Sequence, residues 1–307
     1  MALDANNVNE VKIGLEDKGY ICSEEIATSV FLALKMKKPV LIEGPAGVGK
    51  TELAQVVSQA MDLELIRLQC YEGLDETKAI YEWEYAKQLL YTQMLKDKIN
   101  EVIAPTQSLA QAVDAIASQE DAFFSERFIL PRPLLQAITS EKTVVLLVDE
   151  VDKSDPEFEA YLLEILSVFQ ISIPELGTKK AKNIPIVFLT SNNSRDLSDA
   201  LKRRCLHLFI DYPSPELEAT IIKSKFPGIS EKLLSHLVDA VHNIRELDIK
   251  KKPSISETID WAEAMLALQI EEITPEELQR TLGMLSKHKT DSEHILSKAK
   301  SILGESV

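Results

Sequence analysis

The sequence predicts an α/β fold, with a five-stranded, mostly parallel sheet covered by helices on both faces and followed by a small all-helical domain. Short apolar segments alternate with helical ones up to about residue 212, which is the pattern of strand–helix–strand units. After the break Asp211-Tyr212-Pro213-Ser214-Pro215, only helical patterns remain. We therefore expect an α/β domain over residues 1–213 and a helical domain over 214–307.

Five segments have the length and apolar content of buried parallel strands, although the second is more mixed than the others. They are 39–42, 63–70, 143–150, 184–190 and 206–212. Because parallel strands all end at the same edge of a sheet, polar residues that follow different strands are expected to meet there.

The first strand leads into a segment with the spacing G-x-x-x-x-G-K-[ST] of a phosphate-binding loop. It consists of Gly44, Pro45, Ala46, Gly47, Val48, Gly49, Lys50 and Thr51. In such a loop the glycines let backbone N–H groups face phosphate oxygens, the lysine reaches the β and γ phosphates, and the threonine hydroxyl ligates Mg²⁺. A helical pattern follows at 51–61, so the loop has the strand–loop–helix context that it requires. The segment predicts binding of a nucleoside triphosphate.

The third strand ends in two carboxylates, Asp149 and Glu150. This is the Walker B pattern, in which the first acid holds Mg²⁺ and the second accepts a hydrogen bond from the water that attacks the γ-phosphate. The pair predicts hydrolysis in addition to binding. Capping of the following segment is the structural alternative.

Two polar clusters follow along the chain. Asn192, after the fourth strand, is the candidate for orienting the attacking water, although turn chemistry also explains an asparagine there. Arg203 and Arg204 precede the fifth strand, where basic residues are usually part of the solvated surface.

Composition favours a soluble, cytoplasmic protein that binds proteins or small molecules. The N-terminus lacks the pattern of a signal peptide, and no apolar stretch reaches membrane-spanning length. The formal net charge of −15 disfavours nonspecific binding to nucleic acid or to anionic lipid. Neither the three cysteines nor the five histidines have metal-ligand spacing.

Helix start signals support the helical domain after residue 213. They are Ser214-Pro215-Glu216, Ser254 with Glu257, Thr274-Pro275-Glu276-Glu277, and Thr290 with Glu293.

The ordered set of phosphate loop, acid pair, Asn192, Arg204 and helical lid resembles the AAA+ ATPases over nearly the whole chain. Within that family it is most similar to the MoxR group, and there to the branch typified by the CoxD-like chaperones, which mature molybdenum-containing carbon monoxide dehydrogenase. The segments similar to that branch are 69–75, 79–85, 190–192 and 200–205.

The resemblance implies hydrolysis of ATP, with Mg²⁺, to ADP and phosphate in a homo-oligomeric ring, usually a hexamer. It also implies a protein client and, in this group, often a partner with a von Willebrand factor A domain. Arg204 matches the arginine that reaches the γ-phosphate in a neighbouring subunit, and the adjacent Arg203 is the alternative. Where many MoxR proteins have a lid arginine as second sensor, this chain has 253–257, Pro-Ser-Ile-Ser-Glu. Lys250, Lys251 and Lys252 are nearby, and the role stays unassigned.

Two insertions resemble partner-binding features of these rings. Tyr81, Trp83 and Tyr85 lie on one face if their segment is extended, and packing against the domain is the alternative. The segment 169–178 resembles a hairpin that precedes the sensor strand in this group, with a plain surface hairpin as the alternative.

Three functions are therefore compared. The first is an ATP-driven ring chaperone that remodels a protein client. The second is a nucleic-acid motor or clamp-loader-like ATPase, since Arg203-Arg204-Cys205 is similar to the Ser-Arg-Cys of clamp loaders, but the net charge weighs against it. The third is a small-molecule kinase, which gives Glu150 and Arg204 no role.

Overall fold

A computed structural model describes residues 6–94, 96–97, 104, 108, 111, 125–174 and 176–304. In chain order the strands are β1 (Val40–Glu43), β2 (Leu65–Gln69), β3 (Tyr81–Trp83), β4 (Ile129–Pro131), β5 (Val145–Asp149), β6 (Gln170–Ile173), β7 (Gly177–Lys180), β8 (Ile186–Ser191) and β9 (Leu206–Phe209). The helices are α1 (Val8–Glu16), α2 (Glu24–Met36), α3 (Lys50–Met61), α4 (Glu76–Ile80), α5 (Tyr85–Met94), α6 (Pro133–Thr139), α7 (Pro156–Val168), α8 (Asp199–Arg204), α9 (Pro215–Lys225), α10 (Glu231–Arg245), α11 (Ile255–Ala267), α12 (Pro275–Thr281), α13 (Lys289–Ser297) and α14 (Ala299–Ile302).

The predicted five-stranded sheet is confirmed, and all of its strands are parallel. Its order is β2-β5-β8-β1-β9. The register pairs Glu43 with Ser191, and Gln69 with Asp149. The carboxyl ends of the four strands β1, β2, β5 and β8 therefore lie side by side at one edge of the sheet, each followed by a different polar segment.

The two faces of the sheet have separate hydrophobic cores, because successive strand residues point to opposite faces. On β5, Val145 and Leu147 pack with α1, α2 and α3, whereas Leu146 and Val148 pack with α6 and α7 on the other face. Burial on both faces explains why these strands are continuously apolar. None of the described helices is long and apolar enough to span a lipid bilayer.

The segment after Pro215 is helical and has a core of its own, which is formed by residues between 222 and 302. Trp261 of α11 lies at its centre, fully buried, and donates a hydrogen bond from Nε1 to Thr281 Oγ1 at 2.8 Å. This partner satisfies the one polar group of the indole, so the large ring is buried without an unpaired donor.

Three of the four predicted helix start signals are confirmed. Ser214 and Thr274 accept hydrogen bonds from the first turns of α9 and α12, and Ser254 forms a capping box with Glu257 at the start of α11. The prediction for Thr290 is wrong. The helix α13 starts one residue earlier, at Lys289, and residue 288 is its N-cap, so Thr290 lies inside the first turn.

Strand ends also differ from the prediction, since the fifth strand of the sheet stops at 209 rather than 212.

The two insertions differ in how far they match their predictions. Tyr81 and Trp83 lie in β3, which pairs with β4, and both pack against the core below. Tyr85 is not part of an extended stripe, because it begins α5 and its side chain is 73% exposed. The predicted hairpin at 169–178 is present as β6 and β7, and its Glu175 lies outside the described residues.

A buried ion pair joins two helices of the helical segment, and its arginine also contacts the residue Tyr212 that precedes the segment. Arg245 of α10 donates from Nη1 and Nη2 to Glu218 of α9, at 2.6 and 2.9 Å. Its Nε donates to the carbonyl of Pro253 at 2.8 Å, and its guanidinium lies 5.0 Å from the ring centre of Tyr212. Arg245 of α10 therefore contacts Tyr212, the helix α9 and the segment that leads into α11.

We predict that Glu218→Ala lowers the free energy of unfolding by about 3–5 kcal/mol, because it leaves the Arg245 charge buried without its partner. Urea unfolding followed by tryptophan fluorescence measures the change. Glu272→Ala is the matched control, since Glu272 pairs with Lys232 at the exposed surface and its loss should leave the unfolding midpoint nearly unchanged. Equal midpoints for the two variants would contradict the role given to the buried pair.

Candidate functional site

The phosphate loop is held tightly against the rest of the domain. Gly44 packs so closely that a Cβ there would come within 1.9 Å of the Ile210 carbonyl oxygen. Gly49 has a φ of 94°, in the left-handed region that favours glycine, and precedes the first residue of α3. The loop therefore delivers the free N–H groups of the α3 N-terminus to the site, where the helix dipole favours an anion.

Lys50 points back over the loop. Its Nζ donates to the carbonyls of Gly44 at 2.8 Å and Pro45 at 2.5 Å, and to Asn192 Oδ1 at 2.8 Å. Burial lowers the pKa of Lys50 to about 8, against the opposing effect of nearby carboxylates, Asp152 first among them. A phosphate group would favour the charged ammonium, so the lysine is suited to binding one.

Asp149 is a buried carboxylate with a hydroxyl or cationic donor on each oxygen. Its Oδ1 accepts hydrogen bonds from Thr51 Oγ1 at 3.0 Å and Thr190 Oγ1 at 2.5 Å. Its Oδ2 accepts one from Arg67 Nη2 at 2.5 Å. Thr51 and Asp149, the two residues predicted to hold Mg²⁺, are therefore in direct contact.

Glu150 follows with an unusual backbone, at φ 56° and ψ 50°, in the left-handed region. This conformation turns its side chain toward the same edge of the sheet. Its Oε2 accepts from Gln69 Nε2 at 2.8 Å and from Lys153 Nζ at 2.7 Å, and its N–H donates to Thr190 Oγ1 at 2.9 Å. The carboxylate is partly exposed, so water has access to it.

Asn192 joins the phosphate loop to the acid pair. Its Oδ1 accepts from Lys50 Nζ at 2.8 Å, and its Nδ2 donates to Glu150 Oε1 at 3.0 Å. A single amide group therefore spans the gap between the phosphate-binding lysine and the second acid. Sequence reasoning placed Asn192 at this edge; it did not predict the bridge.

These residues surround a cavity of about 400 Å³. Its walls combine loop residues, the acid pair and one residue of the helical segment: Ala46, Gly47, Gly49, Lys50, Thr51, Glu52, Gln55, Asp149, Glu150, Thr190, Asn192 and Ser256. The donor set fits a triphosphate with Mg²⁺, since a hydroxyl and a carboxylate supply the oxygen ligands that this ion prefers while the loop faces the phosphates.

A second cavity, of about 90 Å³, adjoins the first and is mostly apolar. It lies between the segment joining α1 to α2, the phosphate loop and the helical segment, and its apolar walls include Ile21, Ile26, Val48, Leu217, Ile255 and Ile259. Sequence reasoning missed it, because its walls come from three distant parts of the chain that share no motif. An apolar slot beside a phosphate site suits a nucleobase.

The start of α11 contacts the phosphate loop directly. The N–H and the hydroxyl of Ser256 donate to the Gly47 carbonyl, at 3.3 and 3.1 Å. A Cβ on Gly47 would lie 2.2 Å from Ser254 Oγ. Where the sequence lacks a lid arginine, a serine lines the cavity instead. Of the nearby lysines considered for that role, Lys251 instead pairs with Glu257.

Arg204 lies away from the cavity of its own chain. It ends α8, where its Nε donates to Ser167 near the end of α7. Two residues later Leu206 pairs with Val40, at the amino end of β1, whereas the phosphate loop follows the carboxyl end. Arg203 is exposed beside Arg204.

We predict that Gly47→Ala weakens ATP binding at least about tenfold, because the new methyl group collides with Ser254 and forces the loop and α11 apart. Titration calorimetry measures the affinity. Gly73→Ala is the matched control, since Gly73 has a similar φ of 79° and open space around it. It carries the same backbone strain without the collision.

Adding Ser254→Gly to the Gly47→Ala variant removes the colliding atoms, and glycine is tolerated at an N-cap. The double variant should recover part of the lost affinity. If Gly73→Ala weakens binding as much as Gly47→Ala does, the contact between loop and α11 has no special importance.

Several relatives have similar sequences along most of their length. Two proteins of Staphylococcus epidermidis, both described as uncharacterized, are 23% and 24% identical over 272 residues, which cover 86% of this chain and 90% of each relative. An uncharacterized protein of Staphylococcus aureus is 23% identical over 239 residues, which cover 76% of this chain and 77% of that protein.

A family model described as "AAA domain (dynein-related subfamily)" matches residues 39–205, which is more than half of the 307 residues. The match includes the phosphate loop, the acid pair, Asn192 and Arg204. This chain belongs to the AAA domain family, in its dynein-related subfamily, a family of ATPases that includes the MoxR-like ones.

Proposed function

We propose that this protein is an ATP-hydrolysing ring chaperone of the MoxR type, which remodels a protein client. The observation that carries the hydrolytic part is the Asn192 bridge between Lys50 and Glu150 beside the cavity of about 400 Å³. A site for binding alone would need the lysine and the loop, but would give the second acid and the amide no purpose.

Each side chain then has a distinct role. Lys50 would bind the β and γ phosphates, and Thr51 and Asp149 would hold Mg²⁺, which would supply positive charge beside the phosphates. Glu150 accepts a hydrogen bond from the attacking water, and Asn192 fixes the direction of that water. The products are ADP and phosphate.

We further propose that residues 1–213 act as the ATPase domain and 214–307 as its lid. The contact of Ser256 with Gly47 supports this division, because it allows the helical segment to sense the loop that surrounds the phosphates. The apolar cavity between the two parts would take the adenine ring, so bound ATP would hold them together.

We propose a homo-oligomeric ring, hexameric as is usual in the family, and the position of Arg204 supports this assembly. The residue cannot serve the cavity of its own chain from the far end of α8, and it would complete the site of a neighbour by stabilising charge on the γ-phosphate. Arg203 is the alternative donor in the same turn.

The client is proposed to be a protein, with a von Willebrand factor A-domain protein as a further partner. Membership of a family that includes MoxR-like ATPases supports this proposal, and so does the net charge of −15, which disfavours nucleic acid. The most specific version of this proposal is that the client is a metal-containing enzyme that the protein helps to mature, as in the CoxD-like branch. A cytoplasmic location is part of the same proposal.

We predict that Lys50→Ala abolishes ATP binding, whereas Glu150→Gln binds ATP and fails to hydrolyse it. Titration calorimetry gives the affinity, and phosphate release gives the rate. Glu157→Gln, an exposed carboxylate on α7, is the control and should behave as the unmodified protein. A Glu150→Gln variant that folds but loses ATP affinity as severely as Lys50→Ala would show that the roles are wrongly assigned.

We also predict that Arg204→Ala retains ATP binding and loses on the order of 10³-fold or more in hydrolysis. Mixing tests whether it acts between chains. A Lys50→Ala subunit has a dead site but presents an intact Arg204, so mixing it with Arg204→Ala subunits should restore activity at the shared interfaces. Native mass measurements establish that the two variants assemble together when ATP is present.

Mixed rings with no activity above that of either parent would exclude Arg204 as the donor between chains, and Arg203 would then take its place in the same experiment. An ATP-saturated monomer that hydrolyses at full rate would refute the ring itself.

A further inference from the structure

Asp152 is a third carboxylate at the site, three residues after Asp149 and buried at 3% exposure. Its Oδ2 accepts three hydrogen bonds from the segment that follows β8. They come from the N–H of Asn192 at 3.2 Å, the N–H of Ser194 at 2.9 Å and the Ser194 hydroxyl at 2.6 Å. The sequence analysis assigned this residue no role.

The Asp152 carboxylate accepts its hydrogen bonds from that segment. Its other oxygen, Oδ1, is buried and accepts no hydrogen bond within the described part of the chain. Burial alone would raise the pKa of Asp152, but the hydrogen bonds from Ser194 and Asn192 outweigh it and hold the pKa below its usual value. Removing the carboxylate would therefore leave three donors of one loop without their common acceptor.

The loop needs such an anchor to keep its shape. Asn193 has a φ of 57°, which is an uncommon backbone conformation for a residue other than glycine. The Asn192 side chain must meanwhile span Lys50 and Glu150, with hydrogen bonds at 2.8 and 3.0 Å. Because both bonds depend on where the backbone of Asn192 lies, a shift of that backbone by about 1 Å would break the bridge.

We propose that Asp152 is the positioning residue for Asn192, holding its backbone so that the amide stays between the phosphate-binding lysine and the second acid. The inference rests on the proposed role of Asn192 in hydrolysis. Asp152 and Glu150 lie in the same turn after β5, so this turn fixes both the water-activating acid and the residue that orients the water.

The test compares two substitutions of Asp152 in the full-length protein. Asp152→Ala removes the acceptor, and should lower kcat by on the order of 10²-fold while KM for ATP changes much less, because misplacement by about 1 Å has effects of that size. Asp152→Asn retains a carbonyl oxygen for the same three donors and should keep most of the rate. Asp155→Ala, an exposed carboxylate at the start of α7, is the control and should keep the full rate.

A double-mutant cycle separates positioning from a general loss of structure. If Asp152 acts through Asn192, then adding Asp152→Ala to Asn192→Ala should reduce kcat by less than about twofold beyond Asn192→Ala alone. An equal loss in both backgrounds would overturn the proposal. If Asn192→Ala itself leaves kcat unchanged, the proposed role of Asn192 fails, and this result is distinguishable because it does not involve Asp152.

Ser194→Ala provides a second route, which applies if Asp152→Ala does not fold. It removes one of the three donors and leaves the carboxylate with two backbone partners. We expect a smaller decrease in kcat, of roughly 3- to 10-fold, that disappears in the Asn192→Ala background. An unchanged kcat for Ser194→Ala, or an equal decrease in the Asn192→Ala background, would overturn the assignment.

Discussion

The parallel pairing of β1, β5 and β8 is the constraint on which the rest of the site depends. Because the three strands run in the same direction and are neighbours in the sheet, the loops that follow them leave from one edge. This places Asn192 within hydrogen-bond distance of Lys50 and of Glu150, although the first pair is 142 residues apart and the second 42. A reversed β8 would carry Asn192 to the opposite edge and leave the lysine and the acid unconnected.

Charge balance is the second property of this edge. Asp149, Glu150 and Asp152 provide three carboxylates at this edge. The nearby cations include Lys50, Arg67 and Lys153. Arg67 lies on β2, at the side of the sheet, and donates to the same carboxylate that contacts Thr51. These hydrogen bonds fix the orientation of the Asp149 carboxylate. Such preorganisation lowers the reorganisation needed when the γ-phosphate and its metal enter the site.

The helical segment contacts the phosphate loop through the N–H and the hydroxyl of Ser256, and it contacts α3 through an ion pair between Lys225 and Glu52 at 3.7 Å. Arg245 holds the Pro253 carbonyl, the next residue caps α11, and Ser256 in its first turn contacts Gly47 in the phosphate loop. The Arg245 guanidinium and the chain from Pro253 to Ser256 therefore connect Tyr212 to the phosphate loop. Loss of Arg245 would remove its contact with the Tyr212 ring and its hydrogen bond to the Pro253 carbonyl, since one guanidinium makes both.

The sequence by itself determined the sheet, the phosphate loop and the acid pair, because each depends on local periodicity or on spacing within a few residues. It also placed Asn192 at the correct edge, through the rule that parallel strands end together. The Asn192 bridge, the anchoring by Asp152 and the apolar cavity required the tertiary structure, since each joins residues from distant segments whose separation no motif records. The start signal at Thr290 is wrong, because α13 starts one residue earlier. The shared face of Tyr81, Trp83 and Tyr85 required an extended segment, and this condition fails at Tyr85, where α5 begins.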